Sequence, residues 1–360
     1  MGRISLSRIS WLLPILLIPG SVAAQNVAAP QLPSTPRDIY ASWCVKCHGE
    51  DGSGRLAVAT VKTTPRDFTN CKLATAEADS DWELITAKGG PPAGMSSEMP
   101  AFGDVLQPEQ VAGMVAHLRS FCTENGWPLG NVNFPRPMFT EKAFPENEFV
   151  VAPVVSHQSG EPASFGFKSV YEQRIGRRAH AEIGVPLESA VVDERSTGVG
   201  DLSLATKYVL HTNRASTSIV SAGLEVTFPT GSQSQGLGGG TTVFEPFVAA
   251  GFGFGLSMVQ GNIKYEFPTD NPWDDREFVY NMYLGRTLDT RPSAWTFGVE
   301  INGVQKDLAF TPQARKALTR TGALAAAGGV QLPLNNRSNQ PVRYVGYVLW
   351  EYLDPVRPRR

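Results

Sequence analysis

Cysteine is scarce in this chain, with four among 360 residues. Two of them stand close together, and no second such pair exists to complete a structural zinc site. An excess of one charge is also missing. Lys and Arg number 32 against 34 Asp and Glu, a net charge of -2. Bulk electrostatics therefore point to no nucleic-acid partner and to no acidic one. Long hydrophobic runs are lacking as well. Ile9 to Ile18 is the longest, well short of the roughly 20 apolar residues of a spanning helix. Yet 42% of the residues are hydrophobic and only 18% are charged, which argues against disorder. The length allows two domains, or one large barrel with a small module.

The short apolar run makes sense as an export signal. Arg3 and Arg8 precede it, and Val22-Ala23-Ala24 before Gln25 offers small residues for cleavage. Residues 1–24 are read as a signal peptide, so the mature thiols meet an oxidising compartment.

The paired cysteines lie in Cys44-Val45-Lys46-Cys47-His48. This C-x-x-C-H spacing is that of covalent c-type haem attachment. On one helical turn, two thiols reach the two vinyl groups of one porphyrin, and the next side chain lies under the iron. His48 then supplies the proximal imidazole. A thioredoxin-like pair would need a strand before it, which is absent. Farther on, Val111, Met114, Val115, Leu118, Phe121 and Cys122 follow Pro108 at helical spacing and form one apolar stripe. A first helix from about Arg37 into Cys47 carries Ile39, Tyr40 and Trp43 toward it. Cys71 and Cys122 remain. In an exported chain they are expected to form a disulfide, with two buried free thiols as the alternative.

"GMSSEMPAFGDVLQPEQVAGMVAHLRSFC" resembles the distal half of a class I cytochrome c, where a Met-Pro pair precedes a short loop and the last helix. The resemblance spans about residues 36–123 and includes "EDGSG" and "TTPRDFTN". It implies a small all-α cytochrome c domain with one covalent haem c, and Met99 as the sixth ligand. Met95 is the competing ligand, and Met114 and His117 are poorer ones. Members of this group usually carry a proline soon after the glycine-rich turn, and its carbonyl orients the proximal histidine. Arg55-Leu56-Ala57 stands there without one. Some other carbonyl must hold the imidazole.

Residues 124–148 are rich in Pro, Asn and charge and read as a linker. Beyond it the period changes to two. Ile263, Tyr265 and Phe267 alternate with Asn262, Lys264 and Glu266, and "DLSLATKYVL", "VSAGLEVTF" and "WTFGVEIN" alternate in the same way. Ten-residue strands with aromatics near their ends, and short joins such as "IGRR" alternating with long ones such as "TGSQSQGLGGGTT", match an antiparallel transmembrane β-barrel over 149–353. Eleven strands stand out. A weak twelfth at 307–318, interrupted by Pro312, completes an even number, and ten is the fallback. Period alone leaves open a soluble sandwich or lipocalin-like barrel with its apolar side inward. "GVGDLSLATKYVL" and "LEVTFPTGSQSQGLGGGTTVFEPFVAAG" resemble the outer-membrane barrels grouped as the MetA-pathway of phenol degradation transporters, over about 165–353.

The expectation is a multidomain protein: a mono-haem cytochrome held at the outer membrane, on its periplasmic side, by its own barrel. Its partners are periplasmic redox proteins and outer-membrane lipid. With His48 and Met99 both on iron, it is a carrier rather than an enzyme. The alternative is a porin-like transporter of small-molecule cargo with an accessory redox domain.

Overall fold

The computed structural model describes residues 33–55, 61–191, 195–270, 276–289 and 294–352. The expected signal peptide lies outside them. From Ser34 onward the chain forms one compact unit.

The helical part begins with Pro36 at the first helical position and Thr35 capping the N–H of Asp38, both favoured starts. α1 (Pro36–Ile39), a π turn (Tyr40–Cys44) and α2 (Val45–His48) run on as one helix through the cysteine pair. α3 (Cys71–Ala74) and α4 (Asp79–Lys88) follow. α5 (Pro108–Ser120) opens on a reciprocal cap between Gln107 and Gln110. Its Val111, Met114, Val115 and Leu118 are buried, as their spacing requires. They pack with Ile39, Tyr40, Phe68 and Trp82 in one core.

The strands are β1 (Glu148–His157), β2 (Ser164–Ile175), β3 (Ala179–Val191), β4 (Arg195–Val199), β5 (Leu202–Asn213), β6 (Ser218–Phe228), β7 (Val243–Phe254), β8 (Ser257–Pro268), β9 (Glu277–Thr287), β10 (Trp295–Val304), β11 (Asp307–Ala317), β12 (Leu324–Pro333) and β13 (Val342–Glu351). All neighbours pair antiparallel, and β1 joins both β2 and β13, which closes the sheet. β4 and β5 pair with successive parts of β3 (Leu187 with Val199, Gly184 with Ser203), so they form a single stave broken at Gly200-Asp201. The barrel thus has twelve staves, and the weak strand predicted at 307–318 is β11. Pro312 is accommodated there because β11 leaves the β12 ladder between Phe310 and Gln313.

The apolar side faces out. Ile263 and Tyr265 are 51% and 44% exposed, whereas Gln260 and Asn262, inward on the same strand, are 1% and 6% exposed. This is the inverse of a soluble barrel. Rings collect near both rims: Tyr265, Phe278 and Tyr280 toward the long loops, and Trp295, Phe297, Trp350 and Tyr352 toward the short turns. An outward apolar band with aromatic girdles is the pattern of a barrel in lipid.

The stretch read as a linker is irregular, but it does not hang free. From Val132 to Glu148 it threads the lumen as a plug. Glu300 on β10 accepts the backbone N–H groups of Met138, Phe139 and Thr140 at 2.6, 3.2 and 2.8 Å, and the Thr140 hydroxyl at 2.7 Å. Asn262 accepts from Glu141 N–H at 2.9 Å, and Gln260 donates to the Pro135 carbonyl at 2.9 Å. Arg136 pairs with Glu172 and Glu148 at 2.5 and 3.1 Å. Phe134 lies over Gly251 and Gly253, where a Cβ would meet its ring at 2.8 Å. A Pro- and Asn-rich segment lacks backbone pairing of its own, and the inward polar side chains supply it.

Glu300→Ala should strand these donors in the lumen, at about 1–3 kcal/mol each. Amide exchange at 138–140 is expected to quicken. Planar-bilayer recordings should show frequent openings where the native chain rarely conducts; unchanged exchange and closed traces would contradict the plug.

Candidate functional site

The cysteine motif is set by its turn. Gly49 ends α2 with φ 75°, a conformation that favours glycine, and its carbonyl accepts the Tyr40 hydroxyl at 2.7 Å. Gly52, at φ 72°, lies so close to the Phe121 ring that a Cβ would come within 2.6 Å. Gly54 N–H then returns to the His48 carbonyl at 2.9 Å. The glycines of "GEDGSG" thus fold the chain back beneath the motif. The π turn that ends on Cys44 was not legible in the sequence; π turns within helices cluster at functional sites.

Cys44, Cys47 and His48 line a single cavity of about 230 Å³, with apolar walls from Ile39, Trp43, Phe68 and Leu118. The His48 ring stacks on Phe68 at 4.6 Å between centroids. Its Nδ1 is buried without a hydrogen bond of standard geometry. Burial pulls the imidazole pKa down, and the backbone of Arg66 opposes that shift. The backbone of Arg66, directly after Pro65, therefore lies near the imidazole but makes no hydrogen bond of standard geometry with it. Burial first, and then Cys47, push the Cys44 thiol up to about 11.

Across the cavity lies "GGPPAGMSSEMP". Gly90 N–H donates to the Met99 carbonyl at 3.1 Å, and a Cβ on Gly90 would sit 2.1 Å from the Ser96 carbonyl oxygen. The tight loop carries both Met95 and Met99 to the cavity wall. Met95 is 46% exposed and Met99 is half-buried. Met114 reaches the wall from the α5 core, with 1% exposure. His117 does not line the cavity and packs on Tyr40 and Phe121 instead.

Cys71 and Cys122 are joined, with Cα atoms 5.0 Å apart and a sequence separation of 51. The bridge ties α3 to the chain just past α5. Beside it, Arg119 lies over the Trp82 ring at 4.1 Å, and its guanidinium donates to Asp79 at 3.0 Å and to the carbonyls of Ala74 and Glu77. Asp79 also holds Arg214, in a short barrel turn, at 2.7 Å and Asn131 at 3.2 Å. Arg177 and Arg178, in another short turn, donate to the carbonyls of Asn125 and Gly126 at 2.8 and 2.9 Å. The helical domain therefore sits on the short-turn rim, at the end where the plug enters. Sequence reading missed this mount, because its partners lie far apart along the chain.

Replacing Cys71 and Cys122 by Ser should remove about 4 kcal/mol by the loop-entropy estimate, read as a lower unfolding midpoint of the helical domain with barrel closure intact. Asp81 supplies a pH test. Burial and then Glu77 push its carboxyl up to about 7, against Ala78 N–H and Arg119. The folded state thus retains a proton that the unfolded chain releases above about pH 4. Stability of the helical domain is expected to fall as pH rises from about 4 to 7 and then level off. Asp81→Asn should remove that slope in denaturant titrations.

Residues 31–118 match the family described as cytochrome C oxidase, cbb3-type, subunit III. Residues 154–344 match the family described as putative MetA-pathway of phenol degradation. No curated protein matches the chain. Among solved structures, an outer membrane channel from Pseudomonas putida F1 is similar at 15% identity and TM-score 0.46, over 61% of this chain and 100% of that one. The KdgM porin is similar at 10% identity and TM-score 0.41, over 57% and 99%. Outer membrane phospholipase A from Escherichia coli is similar at 10% identity and TM-score 0.37, over 59% and 99%. The barrel match takes in more than half of the sequence, and the chain belongs to the family described as putative MetA-pathway of phenol degradation, with a cytochrome c-type domain ahead of its barrel.

Proposed function

We propose that the chain is a mono-haem electron carrier, fixed in the outer membrane by its own barrel and exchanging electrons with redox proteins of the periplasm. The observation that carries this reading is one apolar cavity. It is bounded by both thiols of the C-x-x-C-H turn, by an imidazole with an orphaned buried nitrogen, and by a methionine loop opposite. These residues fit haem c. Cys44 and Cys47 would hold the porphyrin edge and His48 and Met99 the iron, while the apolar walls exclude water. Haem, when bound, supplies a one-electron iron couple. A neutral thioether favours the reduced state and raises the potential. With two protein ligands on the metal, no position is left for a substrate, so the site suits transfer and not catalysis.

The rim supports the side. Short turns of such barrels face the periplasm, and the helical domain sits on the short turns. The plug argues against the alternative, a porin-like transporter of small molecules, because cargo would have to displace it. One haem at the rim would also leave the membrane unspanned, so the reading stops at exchange on one side.

The visible spectrum of detergent-extracted protein tests the proposal. A c-type spectrum resistant to acid-acetone extraction is expected, with a methionine-to-iron charge-transfer band lost in Met99→Ala and kept in Met95→Ala. Colourless protein from cells competent in haem attachment would end the reading; loss of the band in Met95→Ala alone would reassign the ligand.

A further inference from the structure

The methionine loop, between α4 and α5, lines the haem-type cavity through Met95, Ser96, Glu98 and Met99. Residues 61–64 line it as well, through Val61, Thr63 and Thr64. This second segment forms neither helix nor strand, and the N–H groups of Lys62 and Thr63 have no backbone acceptor among the described residues. Glu98 supplies the missing acceptors. One carboxylate oxygen takes the Lys62 N–H at 2.9 Å and the other takes the Thr63 N–H at 2.8 Å, across sequence separations of 36 and 35. The Thr63 hydroxyl also donates to the Ser96 hydroxyl at 2.9 Å, and the Glu98 N–H donates to that same oxygen at 3.2 Å. The two stretches of cavity wall are thus tied to each other next to Met99.

Elsewhere the loop is stopped by the barrel. Gly94, at φ 72°, faces the turn between β11 and β12, where a Cβ would lie 3.1 Å from the Thr321 methyl group and 3.5 Å from the Arg320 Cβ. That turn is braced by its own bonds: Leu324 N–H donates to the Thr319 hydroxyl at 3.1 Å, and Gly322 N–H to the Thr319 carbonyl at 3.2 Å. Inside the loop, Gly94 N–H donates to Pro91 and Met95 N–H to Gly90, both at carbonyls, at 3.0 and 2.9 Å. The first half of the loop is therefore a closed turn resting on the barrel. Its second half, which carries Met99, is joined to the opposite wall by Glu98 and Ser96.

From this geometry we infer that Glu98 is a positioning residue for the sixth ligand: its carboxylate clasps residues 62 and 63 to the methionine loop and so holds Met99 at the cavity. The inference rests on the haem reading above and deepens it. No lysine or arginine side chain among the described residues pairs with Glu98, so its charge is spent on these two backbone donors. An ionised acceptor makes such bonds roughly twice as strong as a neutral one, and two oxygens are needed to serve two N–H groups. A loop clasped in this way keeps the thioether in place, which suits electron transfer without rearrangement at the metal.

The test is imidazole titration of the oxidised, haem-loaded, detergent-extracted full chain, followed at the methionine-to-iron band. Imidazole must displace Met99, so its affinity reports how firmly the loop is held. Glu98→Ala is expected to tighten imidazole about tenfold, and Glu98→Gln, which keeps one acceptor oxygen, about threefold. Each variant is first checked for the heat-modifiable migration of the native closed barrel, and the Gln variant carries the test if the Ala variant does not fold. One imidazole affinity in all chains, or a lower unfolding midpoint with that affinity unchanged, would overturn the clasp. Amide exchange at Lys62 and Thr63 needs no haem and should quicken in both variants. Colourless protein ends the haem reading by itself, whereas unchanged exchange at these two residues overturns the clasp whatever the colour.

Discussion

Hydrocarbon offers no partner for a backbone N–H or carbonyl, so a sheet in lipid must close on itself. Here that closure is the pairing of β1 with both β2 and β13. Much else follows from it. Closing the sheet turns every second side chain inward, and many of those side chains are polar: Glu172, His180, Lys207, Gln260 and Glu300 are all buried in the lumen. A ring of buried polar groups needs partners. The segment before β1 supplies them, because its irregular backbone has unpaired N–H and carbonyl groups to exchange. Plug and lumen thus satisfy each other, and neither would be tolerable dry and alone.

The plug also decides what the helical domain can be. Residues between Cys122 and β1 are anchored at Arg136, Thr140 and Glu146, so the domain is held at the short-turn rim by a taut chain. Asp79 completes the mount by joining Arg119 of the domain to Arg214 of the barrel. The carboxylate serves both sides of the junction with one charge. A domain fixed in this way presents its cavity in a constant direction relative to the barrel.

Much of the site was legible beforehand. C-x-x-C-H is a local device, set by the reach of two thiols on one helical turn, and needs no distant residue to be recognised. The α5 stripe and the twelve strands were legible for the same reason, since period and burial are local consequences of backbone geometry. The place of Arg66 was not. Its backbone comes near His48 only after the glycine turn folds back, and a carbonyl carries no mark in sequence. Met95 and Met99 could not be separated by spacing, because one tight loop brings both to the same wall.

The sequence alone determined two covalent or periodic features: the thiol pair with its histidine, and alternation with a period of two. Each is a short-range property, so a string of residues suffices to state it. Only the tertiary structure decided which side of the sheet met lipid, and that residues 132–148 fill the lumen instead of linking domains. Those outcomes depend on closure, which brings together side chains more than a hundred residues apart. Period cannot distinguish inside from outside until the sheet has an inside.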